Sequence, residues 1–414
     1  TLKMEIQDTI NYPSHPGKFN NGVTNIRCIS KITLEKGKTS FELNHTIQNT
    51  KAQTVTFEYW TCATFAPGSE PGNTFTPANS EIIAPIDYVY LKDDWWSWMG
   101  DAEEPAIGQG NHVFEYKNLA IYENWEDMGI AYAFPFIDQN YYGVINHENE
   151  EGVFRVANNA MITKGMKFWT WGSEQGLNAD PLDFYDIARP YIELWSGLST
   201  QFFEDTYLSP DESISWTETY LPTIDMGSVN NVNENGAIYV AHVKEGEEEW
   251  VKTNIFATTP DTEFNLYVNL QGTGNIELFD GSFISDSDIS SEHSFRLGDY
   301  LIEDGDYILS ASITNDLGEL IIESSIPVTI PIPPYGIDEP VQSRPKVYLL
   351  SDNTCRIEFE DGSNRIISVF AVNGQLVKEE HISGNTATFR VRQSGLYIIR
   401  ITEADRTYSL KIII

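Results

Sequence analysis

The sequence predicts an all-β protein, with a large antiparallel supersandwich followed by two smaller β-sandwich domains. Three observations carry that expectation. Apolar and polar residues alternate with period two along most of the chain, clusters of Gly, Pro and Asn break the alternation at short intervals, and helical spacing is scarce. Thr39 to Ile47 and Val55 to Trp60 show the alternation most cleanly, and the best helical turn lies around Leu182 to Ile187. At 414 residues, 41% hydrophobic and 13% aromatic, the chain can bury two to four cores.

Taken in order, the chain opens inside a strand-like pattern, Leu2-Lys3-Met4-Glu5-Ile6, with no charged start and apolar core before it. A signal peptide is therefore expected to have been removed, and further sequence is expected upstream of Thr1. Residues 1–222 form the expected large domain. Residues 223–332 carry short alternating strands such as Phe264 to Val268 and Tyr307 to Ile313, separated by acidic turns, as in an immunoglobulin-like sandwich. A Pro-rich linker, 333–339, follows the first prolines of Pro331-Ile332-Pro333-Pro334. Residues 340–414 form the last compact module.

Composition narrows the function classes. Lys+Arg number 26 against 61 Asp+Glu, a formal net charge of -35, which repels nucleic acid and anionic lipid and makes a neutral glycan an easier partner than an acidic one. No run approaches the roughly 18 apolar residues of a membrane span. Cys28, Cys62 and Cys355 are too few and scattered for a disulfide framework or zinc site and are expected as buried apolar residues. A strand over residues 40 to 49 is expected between those of Cys28 and Cys62, keeping that pair apart. Phosphate-cradling loops, a serine nucleophile elbow and a regular calcium loop are all missing from the sequence, so neither a cofactor nor a metal is expected.

Tryptophan is skewed toward the first domain. Of the 10, only Trp250 follows residue 222; Trp60, Trp95, Trp96, Trp98, Trp125, Trp169, Trp171, Trp195 and Trp216 precede it. Indole faces stack on the apolar faces of pyranose rings, so part of this set is expected at a sugar site and about half in the core.

Two stretches resemble known families. Val369 to Val377, Ser394 to Arg400 and the closing Lys411-Ile412-Ile413-Ile414 resemble the C-terminal sorting domain of type IX secretion substrates. That resemblance implies a partner in the type IX machinery, reached through residues 340–414, and a secreted or outer-membrane surface location in a Gram-negative bacterium. In the first domain, Leu43 to Thr50, Tyr59 to Ala63, Tyr142 to His147, Lys164 to Gly172, Tyr191 to Gly197 and Leu208 to Glu218 resemble the galactose mutarotase-like supersandwich.

The second resemblance implies a carbohydrate-handling site. Glu193 matches the catalytic glutamate of aldose epimerases by its place on a late strand, but the segment where those enzymes carry a histidine reads Trp60-Thr61-Cys62-Ala63. His147 is the remaining candidate acid, and a lone histidine is more often an ordinary hydrogen-bonded residue. Binding is therefore preferred to catalysis, with Glu193, Gln201, Glu218 and Lys167 meeting hydroxyls and Trp60, Trp169, Trp171 and Trp195 offering stacking faces. Trp169 and Trp171, two residues apart, share one sheet face, which is either core or platform. The alternatives are an epimerase, a lyase drawing on Tyr141, Tyr142, His147 and Lys167, a hydrolase pairing Glu193 with Glu218, or an adhesin whose aromatics are all core.

Overall fold

A computed structural model describes residues 1–9, 23–68, 76–90, 113–125, 128–134, 139–158, 166–173, 191–199, 204–246, 248–272, 274–300, 302–303, 305–330, 346–350, 354–359, 362–371, 376–391, 396–403 and 406–413. The expected helical turn at 182 to 187, the Pro-rich linker, Trp95, Trp96, Trp98 and Gln201 lie outside the described residues.

Alternating sequence becomes strand throughout. The first domain contains β1 (Leu2–Gln7), β2 (Arg27–Leu34), β3 (Phe41–Gln48), β4 (Val55–Phe57), β5 (Trp60–Phe65), β6 (Ser80–Ile83), β7 (Tyr88–Tyr90), β8 (Val113–Glu115), β9 (Met128–Phe134), β10 (Tyr141–Asn146), β11 (Glu151–Ala157), β12 (Lys167–Trp171), β13 (Ile192–Gly197), β14 (Thr206–Leu208) and β15 (Ser213–Thr223). They build a seven-stranded sheet, β1-β2-β3-β15-β11-β10-β6, and a six-stranded sheet, β5-β13-β12-β9-β7-β8. Every pairing within them is antiparallel. The run from Val55 to Trp60, expected as one strand, divides: β4 pairs with β14, and Trp60 opens β5 in the six-stranded sheet. Tyr59 makes the break by turning its hydroxyl to His45 Nδ1 at 3.2 Å, across to the other sheet.

The two sheets pack face to face. Phe65, Val89, Ala131, Ala133, Phe168, Ile192 and Leu194 from the six-stranded sheet meet Ile82, Tyr142, Val144 and Tyr220 from the seven-stranded one. The outer face of the seven-stranded sheet is covered at β10, β11 and β15: Tyr141, Ile145, Phe154, Val156 and Leu221 share a core with Met226, Val229, Val232, Ala237 and Phe256 of the following module. All six residues of β10 are consequently buried.

That following module is a sandwich of two four-stranded sheets, one built on Gly236–Glu245 and Glu248–Ala257, the other on Glu263–Gln271 and Gly305–Thr314. By compactness the chain divides into Thr1–Leu297 with Asp306–Thr329, and Gly298–Gly305 with Ile330–Ile414. The C-terminal module in the second unit is again a sandwich, with a three-stranded and a four-stranded sheet closing on Cys355, Ile357, Ile367, Val369, Phe389, Ile399 and Ile401. No helix among the described residues is long and apolar enough to cross a membrane.

Candidate functional site

Period two and register decide which side chains meet. On β5, β13 and β12 the cross-strand partners are Trp195 with Cys62, Glu193 with Thr64, Lys167 with Trp195, and Trp169 with Glu193. Directly opposed residues share a face, so Trp60, Cys62, Lys167, Trp169, Glu193 and Trp195 stand on one side of the sheet. Their sequence neighbours Phe65, Phe168, Ile192 and Leu194 fill the core between the sheets, which makes this the outer side. Gly197 permits the close approach of β13 to β5, since a Cβ there would lie 2.0 Å from the Tyr59 carbonyl oxygen.

Glu193 is the polar centre of this face. Its Oε2 accepts from Trp195 Nε1 at 2.7 Å and from Cys62 Sγ at 3.4 Å. Oε1 has no protein donor among the described residues. Trp169 and Trp195 stack with centroids 5.4 Å apart and planes 22° apart, and Trp60 lies 6.5 Å from Trp195. All three indoles are half-buried. Lys167 is completely buried, with Nζ 3.4 Å from the Trp195 ring centroid, 4.5 Å from Trp60 and 5.6 Å from Trp169. Burial strips the ammonium of water and brings Lys167 down to about 6, an effect that nearby Cys62, Glu193 and Glu58 only partly offset.

Sequence reasoning missed Cys62. It is exposed rather than a buried apolar residue, and it donates to the candidate catalytic glutamate. Loss of hydration, then the Glu193 charge, push its thiol up to about 12, so it remains S–H. Its position, at the gap where the resemblance would place a histidine, was the available signal. Cys28 is free and half-buried rather than buried, and it is kept from Cys62 by lying on the other sheet, not by β3 running between their strands.

Other expected site residues lie elsewhere. Glu218 points between the sheets, 1% exposed, where Oε1 accepts from Thr61 Oγ1 at 2.9 Å and Trp216 Nε1 at 2.8 Å, and Oε2 from Arg155 Nε and Tyr220 Oη, both at 3.1 Å. Thr61 and Cys62 are adjacent on β5 and face opposite ways, so Glu218 and Glu193 occupy opposite sides of one sheet and no single sugar spans them. His147 follows β10 in the seven-stranded sheet and bonds Glu81 Oε2 at 2.8 Å, away from the Glu193 face. Tyr141 and Tyr142 also belong to β10 and are buried, Tyr141 donating to the Asn230 carbonyl at 3.0 Å. Trp171 follows Trp169 on β12 by two, and its side chain lies outside the described residues.

Residues 351–414 match the family described as a secretion system C-terminal sorting domain. The last module is a type IX sorting domain. A protein with such a sorting domain is exported by the type IX route, to the cell surface of a Gram-negative bacterium or beyond it. Among solved structures, the chain is similar to a protein of Synechocystis sp. PCC 6803, at 9% identity over 54% of this chain and 61% of that one, TM-score 0.36. A proposed aldose 1-epimerase from Klebsiella pneumoniae gives 13% identity over 51% and 49%, TM-score 0.36. A galactose mutarotase related enzyme from Lactobacillus acidophilus gives 10% identity over 50% and 65%, TM-score 0.31. The chain spans less than two thirds of the length of each.

Proposed function

We propose that this type IX substrate displays a carbohydrate-binding face at the cell surface, formed by Trp60, Trp169, Trp195 and Glu193 on the outer side of the six-stranded sheet. One observation supports this above the others. Two half-buried indoles, Trp169 and Trp195, flank a carboxylate whose Oε2 is fixed by Trp195 and Cys62, and Trp60 extends the aromatic face from Trp195, so that Oε1 is preset to accept a sugar hydroxyl. The indole faces supply stacking area, and the carboxylate supplies orientation. Binding is favoured over proton-transfer chemistry because the histidine candidate is on the other sheet and the thiol beside Glu193, pushed up to about 12, is a poor acid near neutrality. Gln201 and Trp171 complete the proposed contact set.

The test is a glycan panel on the purified chain, watched also for reducing-end and unsaturated products. Glu193→Ala should weaken binding about tenfold or more, from roughly 1.5 to 3 kcal/mol for a charged hydrogen bond. Glu193→Gln keeps an acceptor and should largely retain binding; turnover by the parent chain that falls by orders of magnitude in Glu193→Gln would replace the lectin reading with an enzymatic one. Within the same proposal, 1–222 carries the sugar and 340–414 only the export signal, so deleting 340–414 should abolish surface delivery and leave sugar affinity unchanged.

A further inference from the structure

The strongest feature outside the proposed sugar contacts is beneath them. Lys167 is wholly buried, yet it lies on the outer face among Trp60, Trp169 and Trp195, with its Nζ 3.4 Å from the nearest ring centroid. A side chain so enclosed cannot meet a sugar hydroxyl as the sequence reading expected. What it does touch is the three indoles that would stack on the sugar.

We infer that Lys167 is a positioning residue for the tryptophan platform, holding the three indoles from within, and that the platform changes with pH through Lys167. This rests on the proposed binding face for its functional meaning and on geometry alone for the platform itself. An ammonium is drawn to indole faces by their quadrupole, more strongly where water is excluded, whereas a neutral amine has no such pull. Burial brings Lys167 down to about 6, so the switch between the two forms falls at mildly acidic pH. Among the described residues, the charge-bearing and titratable neighbours include Cys62 on β5, Glu58 just before it, Glu193 on β13 and Tyr132, its cross-strand partner on β9. Cys62, pushed up to about 12, stays a thiol across that range. Below the transition a cation draws the three indoles together; above it that pull is lost.

The experiment uses the full chain without sugar. Near-ultraviolet circular dichroism and intrinsic tryptophan fluorescence are followed from pH 5 to 8 in the parent protein and in Lys167→Met. The parent should show a transition centred near 6 and the variant none. A parent signal flat over this range, or an unchanged transition in Lys167→Met, overturns the inference. Should Lys167→Met fail to fold, lysine 13Cε resonances of the parent provide the second measurement: one lysine should titrate far below the rest, and Trp195→Phe should move that resonance, whereas uniform lysine titration overturns the inference. With a glycan from the panel, affinity in the parent should differ several-fold between pH 5 and 8 and be flat in Lys167→Met. An empty glycan panel with the sugar-free transition intact would sink the binding proposal and leave the platform inference standing.

Discussion

The two sides of the six-stranded sheet solve the same local problem in opposite ways. Each has a glutamate whose carboxylate accepts from the indole of a tryptophan two residues away, Trp216 to Glu218 on the inside and Trp195 to Glu193 on the outside. Glu218 has Arg155, Tyr220 and Thr61 as further donors, so both oxygens are satisfied. Among the described residues, Glu193 has donors at Oε2 alone. The inner carboxylate is saturated and holds two sheets together, whereas the outer one retains an acceptor at a face lined by half-buried aromatics. Saturation marks structure and an unspent acceptor marks recognition, although the local sequences are nearly mirror images.

The largest expected difference lies in stability. Glu218→Ala leaves the buried Arg155 cation without its carboxylate and should cost about 3 to 5 kcal/mol, whereas Glu193→Ala should cost about 0.5 to 1.5 kcal/mol, because a half-buried indole N–H can turn to water. Urea unfolding of the two variants measures the contrast, and equal losses would break the comparison. Acid should separate the sides as well. Burial alone would raise the Glu218 carboxyl, but Arg155 and the other donors outweigh it and hold the group below its usual value. A depressed carboxyl stabilises the fold above the unfolded value of 4.5, and that contribution is lost as pH falls through the folded value. In Glu218→Gln this part of the acid dependence should disappear.

Lys167 acts in a different window. Its folded value near 6 is below the unfolded 10.5, so between those values the unfolded chain binds the extra proton and stability rises with pH. Lys167→Met should remove this slope between pH 6 and 10.5 while leaving the acid limb, set by Glu218, in place. Melting temperatures of the parent and the variant at several pH values give the result, and a parallel shift of both curves would show that Lys167 contributes packing but no titration.

Much of the fold was legible in the sequence because strand alternation is a local property. Leu2 to Ile6 and Thr39 to Ile47 alternate and became β1 and β3. The alternation fails where both faces are covered: Tyr141 to Ile145 is buried on one side by the opposite sheet and on the other by the second module, which nothing local encodes. The candidate site was legible to a similar depth. Spacing showed that Trp169 shares a face with Trp171, but Trp216-Thr217-Glu218 and Glu193-Leu194-Trp195 read alike until long-range pairing sends one inward and one outward. Cys62 was passed over because a lone cysteine carries no pattern of its own; its place at the histidine gap hinted at the site, and register sets it opposite Trp195, beside Glu193.

The smallest expected effect tests the comparison on two consecutive residues. Thr61 donates inward to Glu218 and Cys62 outward to Glu193, so β5 touches both carboxylates. Thr61→Val keeps shape and removes one donor from a buried, charged acceptor that retains Trp216 Nε1 on the same oxygen, which should cost about 1 to 2 kcal/mol. Cys62→Ala removes a weak thiol donor from an exposed position and should change stability by no more than about 0.5 kcal/mol. Its effect should instead register in the site, because Glu193 Oε2 would keep Trp195 alone and the carboxylate would be less firmly aimed; Cys62→Ser, with a better donor of similar shape, should restore the aim. Paired urea melts for stability and glycan affinity for function read the two axes separately. If Cys62→Ala proves as destabilising as Thr61→Val, the outer face is packed like the inner one, and the distinction between a saturated and an unspent carboxylate fails.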